Sequence, residues 1–284
     1  MPNSPPRTSP NIRSEMSKYR FDGALAVISG ASSGIGREIA SILCKKYGCT
    51  VIGLARNEER LKKAADIIGE GFIPFICDVT SDCDREKLLT FITENGYKPD
   101  ILINNAGILP PFSHFTPDKT EEIERVMEVN FHSHVKMCAS FLPLLLESER
   151  GAIVNVASSA ALATLPGTSA YSASKSALLA FTESLSLEYA KSLFVAAVCP
   201  GMTATELFKS HDGSSLIDKF APSAEKAAKK IVRRLKRGRK KIVTGADAHA
   251  MSGLHRIFGR GALKLFSLFI KSTKLPIFKD TFYK

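Results

Sequence analysis

The chain lacks the features that would mark it as disulfide-bonded, secreted or membrane-spanning. Its 284 residues hold six cysteines (Cys44, Cys49, Cys77, Cys83, Cys138 and Cys199) with no Cys-x-x-Cys pair and no regular spacing. That pattern argues against a disulfide framework in a chain of this size and fits a reducing compartment. No stretch reaches the roughly 18 uninterrupted apolar residues of a membrane span, and the N-terminus has no apolar run of the secretory kind. The expectation is a cytoplasmic protein, soluble or at most attached to a membrane surface. Acidic residues are scarce at one end only: residues 226–284 carry 17 Lys and Arg against Asp247 and Asp280, a net of +15, whereas residues 1–225 carry 22 against 26, a net of −4. The overall charge of +11 thus belongs to a C-terminal segment, not to the body. No aromatic-interleaved basic motif supports a nucleic-acid partner. His132 and His134, two apart on a helix, are wrongly spaced to share a metal, and no metal is expected.

What is present points to one α/β unit. Pro2, Pro5, Pro6 and Pro10 break any period in the first 18 residues, which read as a disordered extension or a degraded transit peptide. Short apolar runs then alternate with amphipathic stretches: strand Ala24–Ser29, helix Ile35–Tyr47, strand Thr50–Leu54, helix Glu58–Gly69, strand Phe72–Cys77, helix Asp84–Asn95 and strand Asp100–Ile103. A long helix from about Glu121 to Glu147, strand Ala152–Val156, helix Ala173–Tyr189 and strands Leu193–Val198 and Lys241–Val243 follow. Continuous apolar strands separated by helices imply a parallel sheet covered on both faces, a doubly wound Rossmann fold. The expected division is an extension over 1–20, a catalytic domain over 21–250 and a basic amphipathic tail over 251–284.

After the first strand comes Gly30-Ala31-Ser32-Ser33-Gly34-Ile35-Gly36. Glycines there let the backbone turn sharply and approach a pyrophosphate, and the free N–H groups of the next helix receive its charge. The end of the second strand, where a carboxylate would select NAD, reads Leu54-Ala55-Arg56-Asn57 instead, and Arg56 can meet a 2′-phosphate. NADP(H) is therefore expected over NAD(H). Asp78 and Val79, and Asn104-Asn105-Ala106-Gly107, sit at strand ends where such sheets bind ligands; Asp78 could accept from an adenine or simply cap a helix.

Tyr171 and Lys175 lie one helical turn apart. An ammonium beside a phenol favours the phenolate, making Tyr171 a candidate acid/base for a carbonyl or alcohol oxygen. Ser158 and Ser159, at the end of the strand before, both could bond that oxygen.

Together these residues resemble the classical short-chain dehydrogenase/reductase family over about Phe21 to Thr205. The resemblance matches the family's glycine motif to Gly30, Gly34 and Gly36, and its Asn-Asn-Ala-Gly to Asn104–Gly107. Its catalytic serine falls on Ser158 and its asparagine on Asn130, which the family associates with a kinked helix and a water beside the lysine. It also implies cofactor contacts at Pro200, Gly201, and Thr203 or Thr205. Ser29 replaces the family's leading threonine and keeps the hydroxyl; Ser33 stands where many NADP-preferring members have a basic residue, which leaves Arg56, with Arg37 as an aid. The implied activity is hydride transfer between NADP(H) and a carbonyl or secondary alcohol, in a homodimer or homotetramer. A catalytically idle NADP(H)-binding sensor or scaffold is the rival.

Segments 108–112, 159–166 and 202–221 should face the substrate. Leu109, Phe112, Leu162, Leu165, Met202, Leu207 and Phe208 make them apolar, with Lys209 and Lys219 in the third, so a lipophilic substrate is expected. In the tail, Leu254, Ile257, Phe258, Gly261, Leu265, Leu268 and Phe269 recur at helical spacing while Arg256, Arg260 and Lys264 form a separate row. That reads as a helix packed over the cleft or a sister subunit, or as a membrane-surface contact aided by the basic run Arg233–Lys241.

Overall fold

A computed structural model describes residues 18–209, 221–273 and 279–282. Seven parallel strands form one sheet in the order β3-β2-β1-β4-β5-β6-β7. They are β1 (Leu25–Ser29), β2 (Thr50–Ala55), β3 (Phe72–Ile76), β4 (Ile101–Asn104), β5 (Ala152–Val156), β6 (Phe194–Pro200) and β7 (Lys241–Thr244). The chain winds outward from β1 to β3 and then returns to β4, so the topological switch point lies between β1 and β4, the place where open parallel sheets bind ligands.

The first strand shows why the sheet needs cover on both sides. Ala26 and Ile28 join one apolar layer with Ile39 and Leu43 of α1 (Gly34–Tyr47), Leu61 of α2 (Glu58–Ile68) and Ile231 of α8 (Ala224–Lys236). Leu25 and Val27 join the other, with Leu88 of α3 (Asp82–Glu94), Phe141 of α5 (Ser133–Leu146) and Leu185 of α6 (Ser169–Glu188). Side chains that alternate along a strand but are apolar on both faces need a layer of helices on each. Helix α1 ends at Gly48, whose φ of 61° suits glycine and whose N–H closes on the Cys44 carbonyl.

Several boundaries differ from the sequence expectation. The expected helix over Glu121–Glu147 is helical throughout but not uniformly so: α4 (Thr120–Met127) passes through a π-helical turn at Glu128–His132 into α5. The Ser133 N–H reaches back to the Glu128 carbonyl, the widened turn that marks functional positions in helices. Helix α6 begins at Ser169 instead of Ala173, which brings Tyr171 inside its first turn. Tyr19, placed by the sequence in the extension over 1–20, is buried and its hydroxyl donates to the Arg150 carbonyl at 2.7 Å; residues 1–17 lie outside the described residues. The tail is two helices, α9 (Ala246–Phe258) and α10 (Arg260–Thr273), broken at Gly259, whose φ is 51°. The expected boundary at 250 falls inside α9. A short helix follows at Lys279–Phe282.

Candidate active site

Tyr171 and Lys175 project from the first turns of α6 and are both buried. Burial pushes the Tyr171 phenol above its ordinary value, partly offset by hydrogen bonding with Ser158. Burial also lowers Lys175, to about 8. The Lys175 ammonium donates to the Val156 carbonyl at 3.0 Å, at the end of β5. In the chain alone, then, the relation expected from the sequence is altered: Lys175 is anchored to the sheet, and burial raises the phenol. Ser158 caps the turn at Ser159–Ala161, accepting from the Ala160 N–H at 3.2 Å. Of the two serines it is Ser158 that interacts with Tyr171.

Asn130 sits fully buried in the π-helical turn. Its amide oxygen accepts from the Ile108 N–H at 2.8 Å and its amide nitrogen donates to the Ile108 carbonyl at 2.9 Å. The same nitrogen donates to the Ser174 hydroxyl at 3.1 Å, and Ser174 donates to the Tyr171 carbonyl at 2.8 Å. A π-helical turn stands where the family resemblance implied a kinked helix, and it seats Asn130 between the β4 loop and the backbone of Tyr171.

The glycine turn fits a dinucleotide phosphate. Gly30 and Gly34 have φ of 66° and 56°. A Cβ on Gly36 would lie 2.4 Å from the Gly30 carbonyl oxygen, so this position admits glycine alone. Ser33 precedes α1 without a side-chain cap, and no acidic residue occupies the first turn. Helix N–H groups left without a side-chain acceptor, at a sheet's switch point, suit an anion. The Ser29 hydroxyl accepts from the Asn105 and Ala106 N–H groups at 2.9 and 3.1 Å and so ties the end of β1 to the loop after β4. Asn105 donates to the Ser29 and Gly30 carbonyls at 3.1 and 3.2 Å. It thereby braces the glycine turn with its side chain. A Cβ on Gly107 would press on Asn130 Oδ1 at 3.1 Å and Lys175 Nζ at 3.4 Å.

Arg56 and Asp78 meet at the ends of β2 and β3, 3.6 Å apart. Burial would raise the Asp78 carboxyl, but bonds from the Thr80 N–H and hydroxyl and the Arg56 charge hold it below its ordinary value. Asp78 does not cap α3; Ser81 does, accepting from the Asp84 N–H. Val79 is buried, and its carbonyl accepts from Arg85. Arg37 is turned to Glu38 at 2.7 Å. Past β6, the Thr203 hydroxyl donates to the Gly201 carbonyl at 3.0 Å, and Thr205 lies beside Gly34.

Three features escaped the sequence reading. Asp247, one of two acids in a basic tail, accepts from the Met202 N–H at 2.7 Å and fills the space a Cβ on Gly201 would need. Ser174 links Asn130 to Tyr171. His134 is buried with Nε2 2.7 Å from the Ala106 carbonyl, and burial lowers it to about 3; the neutral ring thus donates through Nε2. The contacts of Asp247 and His134, and that of Ser174 with Asn130, join distant positions and leave no local sequence signal.

Leu109, Phe112, Ala160 and Tyr171 form an apolar cluster joined by Leu165, Met202, Leu207 and Ala221. A small cavity of about 20 Å³ lies against it, between Leu109, Phe115, Ile123 and Tyr171. A larger one, about 870 Å³, opens at the other end of the sheet among Arg20, Lys98, Asp100 and Arg150. Within it Arg150 lies 3.1 Å from Asp100. It stands away from the glycine turn and from Tyr171. Leu162 packs instead with Ala157, Leu179 and Cys199. Lys219 lies outside the described residues.

A parallel sheet with a glycine turn at its switch point and a Ser-Tyr-Lys set beside it, its tyrosine and lysine buried, defines a dinucleotide-dependent oxidoreductase. A sequence profile described as short chain dehydrogenase matches residues 24–214, and the chain belongs to that family. It is 33% identical over 238 residues to 17-beta-hydroxysteroid dehydrogenase type 3 of Danio rerio, covering 81% of this chain and 75% of that one. It is 32% identical over 200 residues to an NADPH-dependent pterin aldehyde reductase of Arabidopsis thaliana, covering 70% and 82%. Among solved structures it resembles a short chain dehydrogenase from Burkholderia cenocepacia J2315 in complex with NADP, with a TM-score of 0.75 and 26% identity over 88% of this chain and 99% of that one.

Proposed function

We propose that the protein transfers a hydride between NADP(H) and the carbonyl or secondary alcohol of a lipophilic small molecule. The observation that carries this reading is the position of Tyr171, an acid/base hydrogen-bonded with Ser158 and packed among Leu109, Phe112 and Ala160. When bound, the nicotinamide cofactor supplies or accepts the hydride. The turn Gly30–Gly36, with Ser32 and Ile35 at its backbone, and Asn105, Ala106, Gly107, Pro200, Gly201, Thr203 and Thr205 would hold it; Asp78 and Val79 would border the adenine. Arg56 would meet a 2′-phosphate.

Tyr171 holds the proton given to the substrate oxygen during reduction and receives it during oxidation. Ser158 orients that oxygen. Lys175, charged below about pH 8, supplies a positive charge that favours the phenolate as the proton leaves. Asn130 keeps the loop after β4 and the start of α6 in register, and supports the proton path that the widened helical turn opens. Apolar walls exclude water around the reacting oxygen. Relatives named as hydroxysteroid dehydrogenases, and as a very-long-chain 3-oxoacyl-CoA reductase of Rattus norvegicus, favour a hydrophobic substrate. As in the family at large, we assign the working unit to a homodimer or homotetramer.

The test is a panel of ketones and secondary alcohols followed by NADPH absorbance, with Tyr171→Phe beside the wild type. Turnover of lipophilic ketones that Tyr171→Phe abolishes, with NADPH binding kept, is the expected result. Wild-type rates in that variant would overturn the assignment, and NADPH binding with no turnover across the panel would favour the sensor reading.

A further inference from the structure

Among the described residues, none covers one apolar face of the tail helices. On α9 and α10, Ala248, Met251 and Ala262 are buried. Beside them Leu254, Ile257, Phe258, Leu265 and Leu268 face outward; the last four are 73, 59, 65 and 65% exposed. Leu254, Ile257 and Phe258 share one helical face, as do Leu265 and Leu268. Five of the ten large exposed apolar side chains among the described residues fall within these 15 positions. Exposed apolar residues scattered singly are ordinary, but such a concentration marks an interaction surface.

Charge selects the occupant. Residues 254–273 contain Arg256, Arg260, Lys264 and Lys271 and no acid, and Arg256 and Lys264 are exposed beside the apolar residues. Two copies joined through this face would set like charges against each other. An anionic bilayer surface answers both properties, taking the apolar side chains among its acyl chains while the basic ones reach phosphate. No helix among the described residues is long and apolar enough to cross a membrane, so the contact is with the surface.

We propose that α9 and α10 dock the protein on an anionic phospholipid surface. The basic run Arg233–Lys241 is not part of this contact. It leads into the N-terminal end of β7, where Lys241 pairs with Glu183 at 2.8 Å, whereas α9 departs from the C-terminal end of β7. That end is also the substrate side: Asp247 of α9 holds Met202, a member of the apolar cluster around Tyr171. The docking does not depend on which substrate is used.

Full-length protein is sedimented with phosphatidylcholine vesicles, with and without phosphatidylserine, at physiological salt. We expect pelleting with the anionic vesicles, weakened about tenfold or more by Ile257→Ser with Phe258→Ser, by Leu265→Ser with Leu268→Ser, and by Arg256→Glu with Lys264→Glu. These positions are exposed; thermal unfolding and ketone turnover in solution confirm the fold of each variant. Protein that stays in the supernatant with both vesicle types overturns the proposal, as does pelleting that the substitutions leave unchanged. Sedimentation velocity covers the rival occupant: an oligomer that the apolar substitutions convert to monomer, without vesicle binding, makes this face a subunit interface and also overturns it.

Discussion

The amide of Asn130 grips one backbone unit from both sides, accepting from the N–H of Ile108 and donating to its carbonyl. A single side chain thus replaces the strand neighbour that Ile108 loses just beyond β4, and the Ser174 bridge carries the restraint to Tyr171. Replacing Asn130 with Ala leaves two partly buried backbone groups unsatisfied, an expected cost of about 1–3 kcal/mol. We expect lower thermal stability together with at least a roughly tenfold fall in kcat/KM. Full activity in Asn130→Ala would show that the grip is dispensable.

Lys175 should show itself in two opposite pH trends. Its folded value of about 8 lies below the ordinary 10.5, so between these pH values the unfolded chain binds more protons. Stability must therefore rise with pH across that window, by about 3 kcal/mol at most. Activity should move the other way, because the ammonium is lost as pH climbs through about 8. The kcat/KM for NADPH reports the free enzyme and should fall with a slope of one proton above that point. Denaturant titrations of wild type against Lys175→Met, run across the same pH range, check the stability arm.

Arg56 shares its charge with Asp78. If it recognises a 2′-phosphate, Arg56→Ala should weaken NADPH binding about tenfold or more, the scale of one charge-assisted contact, and leave NADH nearly unchanged. Equal loss for both cofactors, measured by fluorescence titration, would place the discrimination elsewhere.

Asp247 ties the tail to the turn after β6. Asp247→Ala frees the Met202 N–H and removes support from the substrate side, so KM for the ketone should rise several-fold with little change in KM for NADPH. Gly201→Ala attacks the same contact from the other partner, since its Cβ would lie 2.3 Å from Asp247. A cost of about 1–3 kcal/mol is expected from either substitution and can be read by thermal unfolding.

Strand β5 could be read from the sequence to the residue because four of its five residues are apolar and the chain before it ends in Glu-Arg-Gly. The start of α6 could not: Ser169-Ala170-Tyr171-Ser172 carries little helical periodicity, and burial beside the sheet, not amphipathicity, makes it helical. The break at Gly259 was hidden by apolar residues that keep helical spacing across it. The proposed catalytic set was visible because Tyr171 and Lys175 are near in sequence and the family motif supplies Ser158 and Asn130. Asp247, Ser174 and His134 were invisible for the converse reason, since the partners of Asp247 and His134 are brought in by the fold and Ser174 acts between two elements.

Placed on the fold, the uneven charge of the chain gives the molecule a polarity of its own. Residues 226–284 carry 17 Lys and Arg against two acids, and residues 1–225 a net of −4; among the described residues the basic stretch begins in α8 and runs into the edge strand β7. Such an object is an electric dipole, and a field turns it before anything touches. Near a negatively charged surface it would be rotated into place during approach, arriving with the β7 side foremost; the orientation would be set at long range and weaken as salt shortens the reach of the field.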